Sequence, residues 1–240
     1  NLPQAEIKFL DAMDAFTKFS FNKAKKLFNE VRKKSTNREI VKEAENKLNL
    51  IKELEDNNPE RKVLTKLKIL LDYISTKNKN FEYTEMVALI FRFYEQILII
   101  SVRLAFGFEV DNNYNINKKT FEEKANSIKE NYKEKYEELQ KEYFEKHREE
   151  LDIKKPTTDT YRFFINLRLR LGNNDKKITE LLGIVYEIGK IIDKYKLREL
   201  RNNSILAHGF NGISKKDIAC SKELLKKFNE FIKIASSIIT

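Results

Sequence analysis

Apolar residues recur along this chain at steps of three and four, the period of an α-helix that buries one face. Residues 4–20 place Ile7, Leu10, Ala12, Met13, Phe16 and Phe19 on such a face. Residues 22–34 (Ala24, Leu27, Phe28, Val31) and 38–54 (Val41, Ala44, Leu48, Ile51) repeat the pattern. Asp56-Asn57-Asn58-Pro59 is a stop signal, and a fourth helix follows to about residue 75 through Val63, Leu67, Leu70, Leu71 and Ile74. The polar stretch 76–80 is the expected subdomain boundary, dividing the chain into 1–78 and 79–240. Residues 84–106 are apolar nearly all round, which predicts a helix buried on most sides. Thr84 is placed to cap it and Gly107 to end it. Arg92, Glu95 and Arg103 interrupt that apolar run. They mark either its one wet edge or, for Arg92 and Glu95, an inward reach toward a catalytic helix.

Beyond a polar loop at 111–119, the seam Phe121, Ala125, Ile128, Tyr132, Tyr136, Leu139, Tyr143 predicts a single long charged helix over about 118–152. Its steps lie close to an eleven-residue repeat, which favours a nearly straight rod of roughly 48 Å. His147 continues the stripe as a surface or seam residue. Pro156 then breaks the chain, and Thr158 or Asp159 is expected to cap a helix to Leu171, ended by Gly172. Arg162, Arg168 and Arg170 give that helix a basic edge. Residues 175–195 carry Ile178, Leu181, Leu182, Val185, Ile188 and Ile192 on one face. Ser214-Lys215-Lys216-Asp217 reads as a capping box opening the last helix. No alternation of period two has useful length, so the fold class is all-α.

Composition agrees. Six Gly and three Pro in 240 residues leave few turns, and 41 % hydrophobic residues with 17 Phe and 10 Tyr supply a sizeable core. No apolar run approaches the length that crosses a bilayer. The opening Asn-Leu-Pro-Gln has no secretory signature and no initiator Met, which suggests a processed or excised fragment. One cysteine, Cys220, excludes an intrachain disulfide and fits a cytoplasmic protein. The net charge of +10 is compatible with an anionic partner such as RNA, and equally with a Lys-rich background, since 37 acidic residues are interspersed. There is no phosphate-binding Gly-rich loop and no Cys/His metal cluster, so no cofactor or metal is expected.

Candidate chemistry concentrates in Arg201-Asn202-Asn203-Ser204-Ile205-Leu206-Ala207-His208-Gly209, which holds one of the two histidines. On a regular helix Arg201 and His208 fall on one face, roughly 10 Å apart along the axis. Metal-independent RNA cleavage needs a base for the 2′-hydroxyl proton, an acid for the 5′ oxygen and a cation for the phosphorane. His208 suits either proton role because imidazole titrates near neutrality. Arg201 suits the third through its planar fork. Asn202 can hold Arg201 or a phosphate oxygen, and Ser204 can donate to the phosphate. The small Ala207 and Gly209 allow another helix to approach, so a symmetric homodimer with a composite site is expected. The bland alternative makes Arg201 a solvated helix residue and His208 a C-terminal cap.

The sequence Arg-Asn-x-Ser-x-x-Ala-His-Gly resembles the extended motif of HEPN-domain ribonucleases, whose core signature is Arg-x(4–6)-His. The similarity is greatest to the ancillary ribonucleases of type III CRISPR systems, which join a cyclic-oligoadenylate-sensing CARF domain to a HEPN domain. Residues 88–95, Ala-Leu-Ile-Phe-Arg-Phe-Tyr-Glu, look like the Arg-x-Tyr-x-x-x-Glu helix of that family, with Glu95 directly after Tyr94. The resemblance covers about 80–240, most strongly 198–210. It implies a HEPN bundle preceded by a small helical linker subdomain. It also implies Arg201 and His208 as the catalytic pair, Asn202 as the polar residue after the Arg, and Asn203, Ser204, Arg92 and Glu95 as substrate-binding or supporting groups. The expected activity is endoribonucleolytic cleavage of single-stranded RNA to 2′,3′-cyclic phosphate ends in antiviral defence, with a sensor domain outside this chain. Separately, residues 21–28 look like part of a tetratricopeptide-type hairpin, without a second copy. Two alternatives remain: a HEPN toxin paired with an antitoxin, and a non-enzymatic helical scaffold.

Overall fold

Where a polar cap precedes an apolar period, the chain is helical. The computed structural model describes residues 4–18, 20–55, 57–111, 114–172, 175–203 and 212–239. Among them are eleven helices and no strand, with one isolated antiparallel bridge between Val110 and Ile116. The fold is all-α. Among the described residues, no helix is long and apolar enough to cross a membrane. The chain divides into two compact units, Asn1–Tyr73 and Ile74–Thr240.

The first unit holds α1 (Gln4–Thr17), α2 (Phe21–Lys34), α3 (Arg38–Leu54) and most of α4 (Pro59–Lys79). Asn37 caps α3 by accepting from the Glu39 and Ile40 amides at 3.0 and 3.4 Å. The Phe16 ring meets Phe21 and Phe28 edge-on, at 5.7 and 6.0 Å between centroids. Small Ala12, Ala15, Ala24 and Ala44 are buried around those rings and let the helices approach closely. Lys47 is buried among them yet ion-paired with Glu43 and Asp72, both at 3.1 Å. Burial pushes its ammonium down, but the two carboxylates more than offset this and hold it above the usual range. Helix α4 runs on through the polar residues 76–79, because without Gly or Pro a polar run can ride a solvated helical face.

The second unit is organised on α5 (Tyr83–Phe106), whose buried residues include Met86, Ile90, Phe93, Ile97 and Ile100. Gly107 ends it at φ 72°, donating its amide to the Arg103 carbonyl at 2.7 Å. The first cap is Glu82, not Thr84, and it caps without a side-chain bond. The unit continues with α6 (Lys118–Asn131), α7 (Lys133–His147), α8 (Thr158–Leu171), α9 (Lys176–Lys194), α10 (Leu197–Asn203) and α11 (Ser221–Ile239), of which α8, α9 and α10 pack against α5. Phe93 stacks on Phe228 at 4.1 Å, tying α5 to α11.

The expected single rod over 118–152 is two helices. Tyr132, at φ −130° and ψ 36°, ends α6 and precedes α7. The seam remains buried on both sides of the break, at Phe121, Ala125 and Ile128 and again at Tyr136 and Leu139. Its partner explains the bend. Phe121 packs on Tyr161 and Phe164 of α8, and Tyr136 packs on the neighbouring Phe163. Helix α8 is only about 21 Å long, so a straight 48 Å rod would leave half its seam in water. Thr157, one residue before the expected caps, caps α8 by accepting from the Thr160 amide at 3.2 Å. Ser214 and Asp217 do bond to each other, amide and hydroxyl to carboxylate at 2.8 and 2.7 Å. They close a turn, however, and α11 starts only at Ser221.

Candidate active site

Helix α9 begins under Asp175, which accepts from the Lys177 and Ile178 amides. It ends where the Tyr195 amide bonds the Ile191 carbonyl at 3.1 Å. Lys196 then takes φ 50°, in the left-handed region. For a residue with a Cβ this costs roughly 1–2 kcal/mol. The turn redirects the chain into α10, which is seated by the fully buried Leu197.

One turn on from Leu197, Arg201 lies against α5. Its guanidinium carbon is 4.9 Å from the centre of the Phe91 ring, and Nη1 is 3.8 Å from Glu95 Oε1. Phe91 and Glu95 are four residues apart and share a face of α5. The Arg201 and Glu95 side chains are 39 % and 47 % exposed, so their pairing is worth below about 1 kcal/mol. A ring under the cation adds about 0.5–1 kcal/mol. Ring and carboxylate together orient the guanidinium. Asn202 and Asn203 are exposed beside it. Arg92 is exposed on the outer edge of α5, and Glu95 makes the contact to Arg201.

His208 and Ser204 lie outside the described residues, as do Ala207 and Gly209. The expected common face of Arg201 and His208 therefore lies outside them too. The chain resumes with the Ile213 amide 3.5 Å from Thr84 Oγ1. Both described ends of the motif segment are therefore held on α5. Thr84, expected as a cap, meets this returning strand of chain instead.

Helix α10 is also gripped from the side. Arg198 reaches Asp159 of α8 with two bonds, at 3.1 and 3.3 Å. One turn along α8, Arg162 clasps Asp193 of α9 through both guanidinium nitrogens, one at 3.0 Å. Burial pushes Arg162 down, but the bond to Asp193 more than offsets this and it stays charged. Tyr94 of α5 lies beneath this clasp, 1 % exposed, its hydroxyl pushed up to about 12 chiefly by burial. Gly189 of α9 makes room: a Cβ there would stand 2.8 Å from the Tyr94 hydroxyl and 3.5 Å from Arg162 Nε.

The basic edge of α8 is consequently not a free cationic strip. Arg162 is held by Asp193, Arg170 by Glu142 at 2.8 and 2.6 Å, and Arg168 lies over the Phe106 ring at 5.6 Å. Reasoning from the sequence missed Phe91, Asp159 and Asp193. Only the i, i+4 spacing of Phe91 and Glu95 was visible there, since the carboxylates face their arginines across 31 and 39 residues. Cys220 is buried, and burial pushes its thiol up to about 11, leaving it protonated and inert at neutrality. No family model, no curated protein and no solved structure matches the chain.

Proposed function

We propose that this protein is a HEPN-type endoribonuclease acting on single-stranded RNA as a homodimer. In this reading Arg201, Asn202 and His208 are the catalytic groups, and Asn203, Ser204 and Glu95 support them. The 2′-oxygen attacks the adjacent phosphorus, giving up its proton to a base. The bond from phosphorus to the 5′ oxygen breaks, and that oxygen takes a proton from an acid, leaving a 2′,3′-cyclic phosphate. His208 from one or both copies performs the proton transfers. Arg201 offsets the phosphorane charge through bidentate bonds to the phosphate oxygens. This chemistry requires no metal. The proposed setting is cytoplasmic CRISPR-linked defence, with cyclic oligoadenylate sensed by a domain outside this chain.

The observation that supports the reading is the placement of Arg201: oriented over Phe91, beside Glu95, and flanked by exposed Asn202 and Asn203. The test is cleavage of end-labelled RNA in EDTA by the wild type, Arg201→Ala and His208→Ala. Each variant is expected to lose roughly 10²–10⁴-fold in rate while remaining dimeric, and the wild-type products should carry cyclic phosphate ends. Equal turnover by all three proteins would remove the assignment.

A further inference from the structure

A groove of about 850 Å³ runs between α7, α8 and α9 and reaches α10. Its size suits a bound organic ligand. The α10 wall is Arg198 and Glu199, and Arg201 stands one turn further along the same helix. On α7, the Tyr143 and His147 rings are stacked at 4.3 Å and 25°, with His147 exposed, and both line the groove.

The walls are electrically balanced. Three arginines in them are each bonded through two nitrogens to a carboxylate: Arg162 to Asp193, Arg170 to Glu142, Arg198 to Asp159. Lys146 and Lys196 are offset by Glu149 and Glu199 in the same lining. A groove without net charge does not track phosphates by attraction. What it offers is a stacked aromatic pair beside polar side chains, the equipment that holds an unstacked base.

We propose that this groove is a base-stacking subsite for the single strand flanking the scissile phosphate, with one base lying on the Tyr143–His147 platform. The inference rests on the ribonuclease reading above. The test is fluorescence anisotropy of the full chain with a 2′-O-methylated RNA oligonucleotide, which binds without being cleaved, over a series of salt concentrations. His147→Ala is expected to weaken binding roughly five- to 150-fold, the range for loss of one stacked base. His147→Phe, which keeps the platform, should bind as the wild type does. The salt dependence should be the same for all three, because no phosphate contact is lost. In cleavage assays KM for RNA should rise in His147→Ala with kcat unchanged, the signature of lost binding that is equal in ground and transition states. Unaltered affinity in His147→Ala overturns the subsite and leaves the ribonuclease standing if the wild type cleaves. A wild type that neither binds nor cleaves RNA overturns both.

Discussion

Gly189 is where a single methyl group tests the packing that carries the site. The substitution is Gly189→Ala, with Gly183→Ala as its control on the same helix. Both glycines lie inside α9, where Ala is the better helix former by about 0.5–1 kcal/mol. At Gly183 nothing lies within 4 Å of the added Cβ, so that gain should appear undiminished. At Gly189 the Cβ meets the Tyr94 hydroxyl at 2.8 Å, a separation real Cβ atoms essentially never show. Tyr94 is 1 % exposed, so its ring is packed within the core. Overpacking of this kind costs about 1–3 kcal/mol, so Gly189→Ala should be net destabilising by roughly 0.5–2 kcal/mol. For a chain of this size, each kcal/mol moves Tm by about 2–4 °C. Calorimetry should therefore show opposite shifts: up for Gly183→Ala, down for Gly189→Ala. Adding Tyr94→Phe removes the offending oxygen, and the double variant should recover about 1 kcal/mol relative to the sum of the singles. Should Gly189→Ala melt as high as Gly183→Ala, Tyr94 does not pass beneath α9 as described, and the positioning of Arg162 needs another explanation.

Three further outcomes follow from the packing. Lys196→Gly relieves the left-handed strain at φ 50° and should stabilise the fold by up to about 1 kcal/mol after the greater entropy of an unfolded Gly is counted, read as a higher denaturant midpoint. Burial raises Cys220 to about 11 and Tyr94, Tyr136 and Tyr161 to about 12, which means that the folded state favours their protonated forms. Their contribution is fully present below the unfolded values, near 9 for the thiol and 10 for the phenols, and is lost as pH rises through 11–12. Stability measured by urea titration should fall across that window. Iodoacetamide should label Cys220 at pH 8 only as fast as the protein opens; rapid labelling of the native chain would contradict its burial.

The helical class and most helix positions were legible along the chain because they depend on neighbours three and four residues apart. Ile178 to Ile192, or Met86 to Ile100, carry their period without reference to anything distant. The same locality brought Arg201 to notice, and placed Gly107 at a helix end where only a left-handed residue serves. What the linear pattern could not contain was the identity of partners across the fold. The seam from Phe121 to Tyr143 satisfies the rules for one long rod, yet its partner α8 is too short, so burial bends it at Tyr132. Arg162 and Arg170 look like a cationic edge until Asp193 and Glu142 fold back against them. Glu95 was a plausible support on spacing, but Phe91 beneath Arg201 and Asp159 against Arg198 exist as contacts only once α5, α8 and α10 are packed. Local hydrogen bonding and periodic burial are written residue by residue. The orientation of a charged side chain is settled by which desolvated neighbour reaches it, and the packed molecule alone decides that.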